Sequence, residues 1–558
     1  MAIDAQDVKR HGKHYTPTSL ALFLADRVIA HAPVTGVLRV LDPACGDGEL
    51  LFAIHDVAAS LRPNLKLIFE GYDLDPQAIE QAELRATERG IEGSWHVADF
   101  IALSSTLEAA SYDVIITNPP YVRTQHLGQG TAQLLAAEFG LTGRIDLTHP
   151  FVSLAPRLLS QNGVLGLLCS NRFLTTRAGA NVRGVLHQQL AVLELFDLGD
   201  TRLFNAAVLP AITIAARTRP EAASSIRFAS AYETEESSAT EAATLFEALL
   251  QQEDSVIQLD SRLVGVRVGT LATSGPKEPW RISHAHGDDW LAAVASATWK
   301  TFGEVARVRV GIKTTADSVF ISDTWDNGDL TPEESMLLPL ITHRNLEPWR
   351  VSPYPRTRVL YPYDLRSAKR SVLSLSEAPR TRAYLDRHAE RLKSRKYVTD
   401  GGREWFEIWV PQSPSAWSAP KVVFPDISER GRFALDYSGA VVNGDCYWIS
   451  IAEIGSEDLG LLMIAVANSN LGLRFYDEVC GNKLYSGRRR WISQYVSRLP
   501  IPDPTSSSAM KLIELARSIS KSGAASATDL ELIESLVEEA FSKPIEGQPA
   551  DPRSDVLF

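Results

Sequence analysis

The sequence has only four cysteines, and they lie far apart along its 558 residues. None belongs to a CxxC pair or to a Cys/His cluster, so their spacing disfavours both a zinc site and a disulfide framework. We therefore expect buried thiols and no metal site. The four residues are Cys45, Cys169, Cys446 and Cys480.

Long apolar runs are also missing. No stretch approaches the ~20 consecutive apolar residues that a helix needs to cross a bilayer. The N-terminal segment, MAIDAQDVKR, is polar and lacks the apolar core of a secretion signal. The composition, with 45% hydrophobic and 22% charged residues, is ordinary for a globular protein. We expect a cytoplasmic protein that has no membrane partner.

Positive charge is in short supply, because 56 Lys and Arg stand against 68 Asp and Glu, which gives a formal charge of −12. This balance disfavours a protein that coats nucleic acid indiscriminately. Basic residues are nevertheless concentrated between His343 and Arg432, and Arg488 to Arg490 form a second cluster. A local basic surface on an acidic protein indicates a partner such as nucleic acid that is bound by one face.

The chain is too long for one compact core and predicts roughly two to four domains. Residues 1–217 alternate short apolar runs with amphipathic helical segments, which predicts an α/β fold with a mostly parallel, doubly wound sheet. Residues 218–300, rich in Ala, Ser, Thr and Glu, are interpreted as a connecting segment. Residues 301–503 have shorter alternating runs and many prolines, which favours a β-rich domain, and residues 504–558 predict a helical C-terminal tail.

The segment Val40–Gly48 predicts a strand that runs into a turn of small residues and then a helix. Glycines such as Gly46 and Gly48 let the backbone approach a ligand closely, and Asp42 is placed to bind a polar or cationic group above the strand end. The spacing is not the GxGxxG of dinucleotide enzymes, and no GKS or GKT follows to make a phosphate loop. On these residues alone, an ordinary strand–turn–helix corner remains an alternative.

Acidic residues also follow the next two predicted strands. Asp73 ends the second strand, where a carboxylate can accept hydrogen bonds from both hydroxyls of a ribose. Asp99 is placed to accept from an adenine amine, with Phe100 packing beside the ring. Asp75 before Pro76 is interpreted as a helix cap with proline in the first turn. The order of these residues after the glycine turn indicates an adenosine-containing cofactor.

The segment Asp113–Tyr121 predicts a buried strand that ends in Asn118-Pro119-Pro120-Tyr121. The prolines fix φ at about −65° and restrict the residues before them, which makes a rigid projecting loop. The side-chain oxygen of Asn118 and the carbonyl oxygen of Pro119 can both accept hydrogen bonds from one NH2 group. Tyr121 can stack on the flat ring that carries this group. These residues are the predicted catalytic loop.

The order of the motifs HYTP, DPACGDG, YDLD, ADF and NPPY resembles that of the N6-adenine DNA methyltransferases, in the gamma arrangement of the TaqI-like restriction–modification methylases. The resemblance covers nearly the whole chain. It implies a Rossmann-like domain that binds S-adenosyl-L-methionine (SAM), followed by a β-rich target-recognition domain. It also implies a bacterial, site-specific modification enzyme that flips an adenine out of double-stranded DNA. We expect this enzyme to act as a monomer beside a separately encoded restriction endonuclease.

The resemblance also assigns roles to individual residues. Asp42 and the glycine turn would contact the methionine amine of SAM, Asp73 the ribose, and Asp99 the adenine. Phe204 resembles the aromatic residue that closes the other face of the flipped base, with a core phenylalanine as the alternative. The residues implied at the cofactor are Tyr15, Thr16, Pro17, Asp42, Pro43, Ala44, Gly46, Gly48, Asp73, Leu74, Asp99, Phe100 and Asp146.

The downstream half resembles the TaqI-type specificity region in three segments, Gly311–Thr314, Lys421–Ser428 and Gln494–Pro502. Basic side chains of this half are candidates for phosphate or guanine contacts. For each of them, a solvated surface charge is the alternative. The candidates are Arg344, Arg350, Arg356, Arg358, Lys393, Arg395, Lys396, Arg488, Arg489 and Arg490.

Two other functions remain open on the sequence. Asn-Pro-Pro-Tyr also occurs in SAM-dependent enzymes that methylate glutamine amides of proteins or amino groups of RNA, since these groups present the same planar NH2. Such enzymes are usually short and lack a large C-terminal β-rich domain. A non-catalytic SAM-binding subunit that only recognises DNA is the second alternative. The intact Asn118–Tyr121 loop argues against it.

Overall fold

The fold is that of a computed structural model, which describes residues 16–120, 148–203, 209–219, 225–234, 244–272, 275–283, 285–325, 330–480 and 487–545. The chain divides into two compact units, Met1–Ala285 and His286–Phe558. Each unit has its own buried apolar clusters. The division falls near the end of the segment that the sequence predicts as a connection.

One large sheet forms the centre of the first unit. Its described strands are β1 (Val37–Asp42), β2 (Lys66–Asp73), β3 (Gly93–Val97), β4 (Tyr112–Thr117), β5 (Leu159–Ser170), β6 (Ala191–Asp197), β7 (Pro210–Ala216), β8 (Arg227–Glu233), β9 (Ser255–Leu259), β10 (Arg262–Ala272) and β11 (Arg281–Ser283). The strand order is β11-β10-β8-β6-β7-β5-β4-β1-β2-β3, with β9 paired to β10. Strands β1 to β5 are paired in parallel, and β7 is antiparallel to both of its neighbours. The predicted mostly parallel sheet is confirmed for the first 217 residues.

The central strands of the large sheet are buried on both faces. Side chains of successive strand residues point to opposite faces. Val114 and Ile116 of β4 belong to one apolar cluster, and Ile115 between them belongs to another. Val40 and Leu41 of β1 divide between the same two clusters. Burial of both faces explains why these strands appear in the sequence as unbroken apolar runs.

Helices connect the strands of this unit. The described helices are α1 (Thr18–His31), α2 (Glu49–Leu61), α3 (Pro76–Arg89), α4 (Phe100–Leu103), α5 (Thr148–Leu158), α6 (Arg172–Thr175), α7 (Ala180–Gln188) and α8 (Leu245–Leu250). Asp75 caps α3 by accepting a hydrogen bond from the backbone N–H of Gln77 (3.1 Å), and Pro76 occupies the first turn. The helix ends at Gly90, whose φ is 66°. The predicted Asp75-Pro76 cap is confirmed.

The segment 218–300 differs from the predicted connection. Strands β8 to β11 lie within it and extend the large sheet, with β8 parallel to β6 and β10 antiparallel to β8. The buried face of β8 includes Ala229 and Ala231, which are 0% exposed. Such small side chains weaken the alternating apolar pattern by which a strand is recognised, so this part of the sheet is difficult to predict.

The second unit combines small sheets with helices. Its described strands are β12 (Lys300–Thr301), β13 (Arg309–Val310), β14 (Ile321–Ser322), β15 (Leu337–Ile341), β16 (Leu346–Glu347), β17 (Arg350–Val351), β18 (Arg358–Leu360), β19 (Lys421–Pro425), β20 (Ile427–Ser428), β21 (Ala434–Asp436), β22 (Val441–Val442), β23 (Cys446–Ser450), β24 (Arg489–Arg490) and β25 (Pro500–Ile501). Two four-stranded sheets have the orders β13-β23-β19-β21 and β14-β18-β15-β22. Three further pairs are β12–β25, β16–β17 and β20–β24.

Longer helices follow these sheets toward the C-terminal end. The described helices of the unit are α9 (Ala285–Ser296), α10 (Phe302–Val305), α11 (Asp317–Phe320), α12 (Pro379–Arg387), α13 (Ala389–Lys393), α14 (Lys396–Thr399), α15 (Ile451–Ile454), α16 (Glu457–Asn468), α17 (Asn470–Cys480), α18 (Ser493–Val496), α19 (Ser507–Ser522) and α20 (Ala527–Ala540). No single helix in the described ranges is long and apolar enough to span a membrane. Helices α16 and α17 meet that criterion only together, across a bend of 71°.

Strand β19 lies between two apolar cores of the second unit. Val422 and Phe424 belong to a core that includes the C-terminal helices, whereas Val423 belongs to the other. Leu512 of α19 and Val537 of α20 are 0% exposed in the first of these cores. The region predicted as a helical tail therefore contains two helices that are packed into the unit, because their apolar stripes supply part of its core.

Gly166 of β5 and Gly184 of α7 form a matched pair for testing how α1 packs on the sheet. A Cβ at Gly166 would clash with Val28 of α1, whereas a Cβ at Gly184 would meet nothing within 4 Å. We expect Gly166→Ala to lower the free energy of unfolding by about 1–3 kcal/mol, because a packed core has no room for another methyl group. Gly184→Ala should be neutral or stabilising by up to about 1 kcal/mol. Denaturant unfolding measures both, and equal stability of the two variants would contradict the packing.

Candidate active site

The carboxyl ends of four parallel strands bring predicted site residues to one edge of the large sheet. Asp42 ends β1 and Asp73 ends β2, while Asp99 and Asn118 follow β3 and β4 closely. The registers of these strands align their ends. Because parallel strands end at a common edge, residues that are distant in sequence become neighbours here, where open α/β sheets bind their ligands.

Asp73 joins the turns that follow β1 and β2. Its Oδ2 accepts a hydrogen bond from the backbone N–H of Gly46 (2.9 Å), and its Oδ1 accepts one from the N–H of Asp75 (2.9 Å). The N–H of Cys45 donates to the carbonyl of Tyr72 (2.8 Å). The glycine turn is therefore fixed against the end of β2. Since each carboxylate oxygen has two lone pairs, Asp73 retains acceptor capacity for further hydroxyl groups.

The two glycines of the turn have different surroundings. Gly46 and Gly48 both have positive φ, 54° and 85°, a conformation that favours glycine. A Cβ at Gly46 would have no atom within 4 Å, so this part of the turn borders open space. A Cβ at Gly48 would lie 2.7 Å from Cε2 of Phe52 in α2. Gly46 thus fits close approach to a ligand, and Gly48 serves the packing of the turn on α2.

Asp42 is almost fully buried, with 1% of its surface exposed. Its carboxylate accepts a hydrogen bond from the backbone N–H of Ala44 (3.0 Å), and the intervening Pro43 is buried. Burial raises the pKa of Asp42 to about 7, although the Ala44 N–H and the Thr117 hydroxyl act in the opposite direction. A nearby cation stabilises the ionised form of such a group, so this position suits a positively charged partner.

Arg85 of α3 holds the glycine turn from the side, and the sequence motifs do not single it out. Its guanidinium donates to the carbonyl (3.0 Å) and the carboxylate (2.8 Å) of Asp47, and to the carboxylate of Glu49 (2.5 Å). The same group lies 4.8 Å from the ring centroid of Phe52. These contacts join α3 to the turn and to the start of α2. An arginine on an amphipathic helix gives no local signal of such a role.

The predicted adenine-contacting residues are only partly arranged as expected. Asp99 is exposed, and its Oδ1 accepts N–H hydrogen bonds from the first turn of α4 (3.0 and 3.3 Å). Phe100 is 3% exposed, because its ring stacks on Phe151 (centroids 6.1 Å apart) and meets Tyr72 edge-on (5.3 Å). Leu74 is 69% exposed. Leu74 is therefore an exposed apolar side chain at this edge, while Phe100 belongs to the core behind it.

Asn118 lies directly after β4 and is half-buried. Its Nδ2 donates a hydrogen bond to Oγ1 of Thr16 (3.1 Å). Pro119 is buried and Pro120 is half-buried, so the described part of the predicted catalytic loop is anchored. The carbonyl of Pro17 accepts two backbone N–H hydrogen bonds (both 3.0 Å) from the first turn of α1. The start of α1 therefore lies beside the loop.

Four predicted site residues, Tyr15, Tyr121, Asp146 and Phe204, lie outside the described residues. Their roles stay predictions. Phe151, the residue that stacks on Phe100, lies in α5.

A polar cluster at the ends of β5, β6 and β8 is absent from the sequence predictions. Asn171 Nδ2 donates to Oδ1 of Asp197 (2.9 Å), and the hydroxyl of Tyr232 donates to Oδ2 of Asp197 (2.6 Å). The N–H of Gly199 donates to the same carboxylate (3.1 Å). Burial raises the pKa of Asp197, and these hydrogen bonds oppose the shift. The cluster fixes the end of β6 relative to the ends of β5 and β8.

Comparisons with known proteins assign this site to a family. The family model of the Eco57I restriction-modification methylases matches residues 63–204. The type II methyltransferase M.BanIII of Aneurinibacillus aneurinilyticus is 34% identical over 540 residues, which cover 92% of this chain and 93% of that protein. The chain belongs to the type II restriction–modification methyltransferases. The resemblance on which the sequence analysis relies is thereby confirmed, and methyltransferases of this family use SAM.

Two more similarities concern the fold of this methyltransferase and a part of its sequence. The restriction-modification enzyme MmeI, solved in complex with DNA, superposes with a TM-score of 0.65 at 15% identity, over 100% of this chain and 79% of that one. This likeness confirms the predicted fold class. The tRNA1(Val) (adenine(37)-N6)-methyltransferase of Aeromonas hydrophila is 30% identical over 141 residues, which are 25% of this chain and 54% of that protein.

Two of the methyltransferase's predicted DNA-contacting residues form hydrogen bonds inside the protein instead. Arg395 is 5% exposed, and its guanidinium donates to the carbonyls of Thr314 (2.8 Å) and Trp405 (2.9 Å). Arg489 forms two hydrogen bonds with the carboxylate of Asp477 (2.9 and 2.7 Å) and is mostly buried. We therefore correct the prediction for both residues, since a guanidinium whose donors are used inside the protein has few left for DNA.

The remaining candidates differ in whether a carboxylate engages them. Arg350 donates to Glu347 (2.7 Å), Arg358 donates to Glu334 (2.8 Å), and Arg490 donates to Asp426 (3.1 Å). The other candidates are exposed and form no ion pair with a carboxylate among the residues that the structure describes. These candidates are Arg344, Arg356, Lys393, Lys396 and Arg488.

The segments that resemble the TaqI-type specificity region contribute buried and closely packed residues to the second unit. Lys421 is 0% exposed, and its Nζ lies 2.8 Å from Oδ2 of Asp436. A Cβ at Gly311 would clash with the carbonyl of Asn443, which explains the glycine there. Tyr495 is 1% exposed. These residues therefore support the fold of the unit and do not form its surface.

Asp42→Asn tests the buried carboxylate of the methyltransferase. The pKa of Asp42 is raised from 3.8 to about 7 in the folded protein. As pH rises, this carboxyl group therefore ionises in the unfolded chain before it does so in the folded protein, and the free energy of unfolding falls between these two pH values. The Asn variant has no such loss. At pH 8 it should therefore be more stable than the wild type, by at most about 4 kcal/mol for a shift of about three pKa units. Near pH 4 the two proteins should converge.

Denaturant unfolding of both proteins at several pH values between 4 and 8 measures this difference. An Asn variant whose stability follows the wild type at every pH would show that Asp42 does not carry the predicted penalty.

Proposed function

We propose that this chain transfers the methyl group of SAM to the N6 amine of an adenine in double-stranded DNA, at one recognition sequence. The observation that carries the proposal is the position of the Asn118-Pro119 loop, at the same sheet edge as Asp42, Asp73 and the glycine turn. The tRNA1(Val) (adenine(37)-N6)-methyltransferase, similar to part of this chain, supports the N6 chemistry. M.BanIII, similar to nearly all of it, supports a role as a modification enzyme. We further propose a monomeric, cytoplasmic enzyme whose restriction endonuclease is a separate chain.

The described residues of this edge fit SAM, which supplies an electrophilic methyl group when bound. The open space beside Gly46 leaves room for a ligand, and the buried carboxylate of Asp42 suits an ammonium group. Asp73 retains acceptor capacity for ribose hydroxyls. Asp99 uses Oδ1 for its helix cap, so Oδ2 can accept from an adenine amine. Pro43, Ala44 and Gly48 would shape the turn around the donor.

Asn118 and Pro119 would activate the acceptor. The N6 amine is a poor nucleophile, because its lone pair is delocalised into the purine ring. If its two hydrogens bond to Oδ1 of Asn118 and to the carbonyl of Pro119, the nitrogen moves toward tetrahedral geometry and the lone pair is localised on it. The prolines hold both acceptors in place before the substrate arrives. Positioning and preorganised hydrogen bonds then supply the catalysis.

The target base would be flipped out of the duplex, because its amine otherwise lies inside the base stack. Flipping costs a few kcal/mol. Tyr121 and Phe204 would stack on the flipped base and offset part of this cost, at ~1–3 kcal/mol per base.

The second unit would bind DNA through its exposed basic side chains. The side-chain amide of Asn345 donates to two backbone carbonyls of the following loop (3.0 and 3.1 Å). These bonds fix the loop that connects Arg344 to Arg356. The guanidinium of Arg356 lies 5.0 Å from the ring centroid of the exposed Tyr354 and donates to its hydroxyl (2.9 Å). This contact holds Arg356 in an orientation from which it can reach a phosphate or a base. Lys393, Lys396 and Arg488 are further proposed contacts.

Asn118→Ala should abolish methyl transfer, because it removes one of the two acceptors that activate the amine, while SAM binding stays within a few-fold of the wild type. Transfer of a labelled methyl group to duplex DNA and calorimetric binding of SAM measure the two effects. Gly184→Ala is the control, because a Cβ added at Gly184 would meet nothing within 4 Å. Turnover retained by Asn118→Ala would rule out the proposed chemistry.

The same labelled donor separates DNA from the alternative acceptors. Duplex DNA, transfer RNA and a protein extract are offered in parallel, and the products are digested to nucleosides or amino acids. We expect N6-methyladenine from the DNA. Label that appears only in RNA or in a glutamine side chain would overturn the proposed substrate.

Arg344→Ala and Arg356→Ala should each weaken DNA binding and reduce the slope of log K against log salt by about one, because each removes one phosphate contact. Arg366→Ala is the matched control, since this side chain is 91% exposed but paired with Asp364 (3.1 Å). Binding to cognate and unrelated duplexes at several salt concentrations measures the slopes. A control variant that loses as much as the other two would show that only overall charge matters.

A further inference from the structure

We propose that Thr16 is a positioning residue, whose hydroxyl fixes the orientation of the Asn118 side-chain amide so that Oδ1 faces the acceptor amine. This inference rests on the proposed function, because it concerns the geometry of the same reaction. It differs from the role implied by the resemblance, which places Thr16 among the residues that contact SAM.

The amide of Asn118 can be used in two orientations of nearly equal shape. Rotation by half a turn about its last side-chain bond exchanges the oxygen, an acceptor, with the NH2 group, a donor. The N6 amine that receives the methyl group donates hydrogen bonds too. Only the orientation that presents Oδ1 supports the reaction, because the other sets two NH2 groups against each other. The enzyme therefore needs a feature that selects one orientation.

Thr16 stabilises the orientation that the structure shows, because its hydroxyl oxygen accepts a hydrogen bond from the NH2 group. Asn118 Nδ2 donates to Thr16 Oγ1 at 3.1 Å, so the NH2 side of the amide points toward Thr16. Oδ1 then lies on the opposite side of the amide carbon. A hydroxyl oxygen accepts such a bond, and the methyl group of valine, which has the same shape, does not.

Thr16 is itself held in place relative to the rest of the site. The carbonyl of Pro17 is engaged by the first turn of α1, as described above. The hydroxyl of Thr18 donates to Glu49 Oε1 (2.6 Å) at the start of α2, and Glu49 is in turn bound by Arg85 (2.5 Å). The segment before α1 is thus tied to the glycine turn, so Thr16 fixes the amide relative to the side of the site where SAM would bind.

The side chain of Thr16 does not serve the helix beside it. Pro17 is the N-cap of α1, and no side chain caps this helix end. The buried side chains of α1 begin with Leu20, so Thr16 lies before its core contacts. Its hydrogen bond therefore acts on the catalytic loop and not on the stability of α1.

Thr16→Val and Thr16→Ser test the proposal, because valine removes the hydroxyl at constant shape and serine keeps it. We expect Thr16→Val to lower kcat by roughly 10- to 100-fold, the scale expected for a misplaced catalytic group. The Kd for SAM and the melting temperature should stay close to the wild type. Thr16→Ser should restore most of kcat. The measurements are steady-state kinetics at saturating donor and acceptor, SAM binding by calorimetry and thermal unfolding.

Three results would overturn the inference. Thr16→Val could retain the wild-type kcat, or Thr16→Ser could be as slow as Thr16→Val, or the loss could appear in the Kd for SAM with kcat unchanged. The last result would return Thr16 to the cofactor. These measurements use the acceptor that the labelling experiment identifies, so a failure here is distinguishable from a failure of the adenine assignment, which Asn118→Ala and product analysis test.

Discussion

The carboxylate of Asp73 makes the interaction on which the rest of the site depends. It accepts backbone N–H groups from two successive βα turns, so one side chain fixes the glycine turn relative to the end of β2. The parallel strands bring the Asn118 loop to the same edge. The turn contains two glycines, and glycine has more conformational freedom than any other residue, so such a turn needs restraints from its neighbours. Without this carboxylate the turn would lose a restraint, and with it part of the preorganisation that methyl transfer needs.

Behind this edge, polar groups from distant strands are paired with one another. Glu70 accepts hydrogen bonds from the hydroxyls of Tyr72 (2.6 Å) and Tyr112 (2.8 Å), and Asp197 is satisfied by Asn171 and Tyr232 as described above. An unsatisfied buried polar group costs ~1–3 kcal/mol. Such clusters therefore favour one arrangement of the strand ends. The proposed chemistry needs hydrogen-bond acceptors held at fixed positions, and these pairs favour such a fixed arrangement.

The second unit shows that a basic cluster in a sequence is not yet a DNA-binding surface. Arg489 and Arg490 are adjacent, and both are engaged by carboxylates, whereas Arg488 beside them is exposed. Arg395 lies inside the unit among backbone carbonyls, while its neighbour Lys396 is exposed. Burial and partner therefore decide which charges can meet a phosphate. The sign of the charge alone does not.

The sequence by itself determined the class of the fold and the proposed chemistry, because the ends of parallel strands carry short local motifs such as Asp42 with its glycine turn and Asn118-Pro119-Pro120. Tertiary structure alone decided what these motifs contact. Arg85 gives no local signal, since its partners lie 38 and 36 residues away. Strand β8 gives little, because its buried positions are small. Thr16 meets Asn118 across 102 residues. Such partners are set by how the strands and helices pack, and local patterns of residues carry no record of that packing.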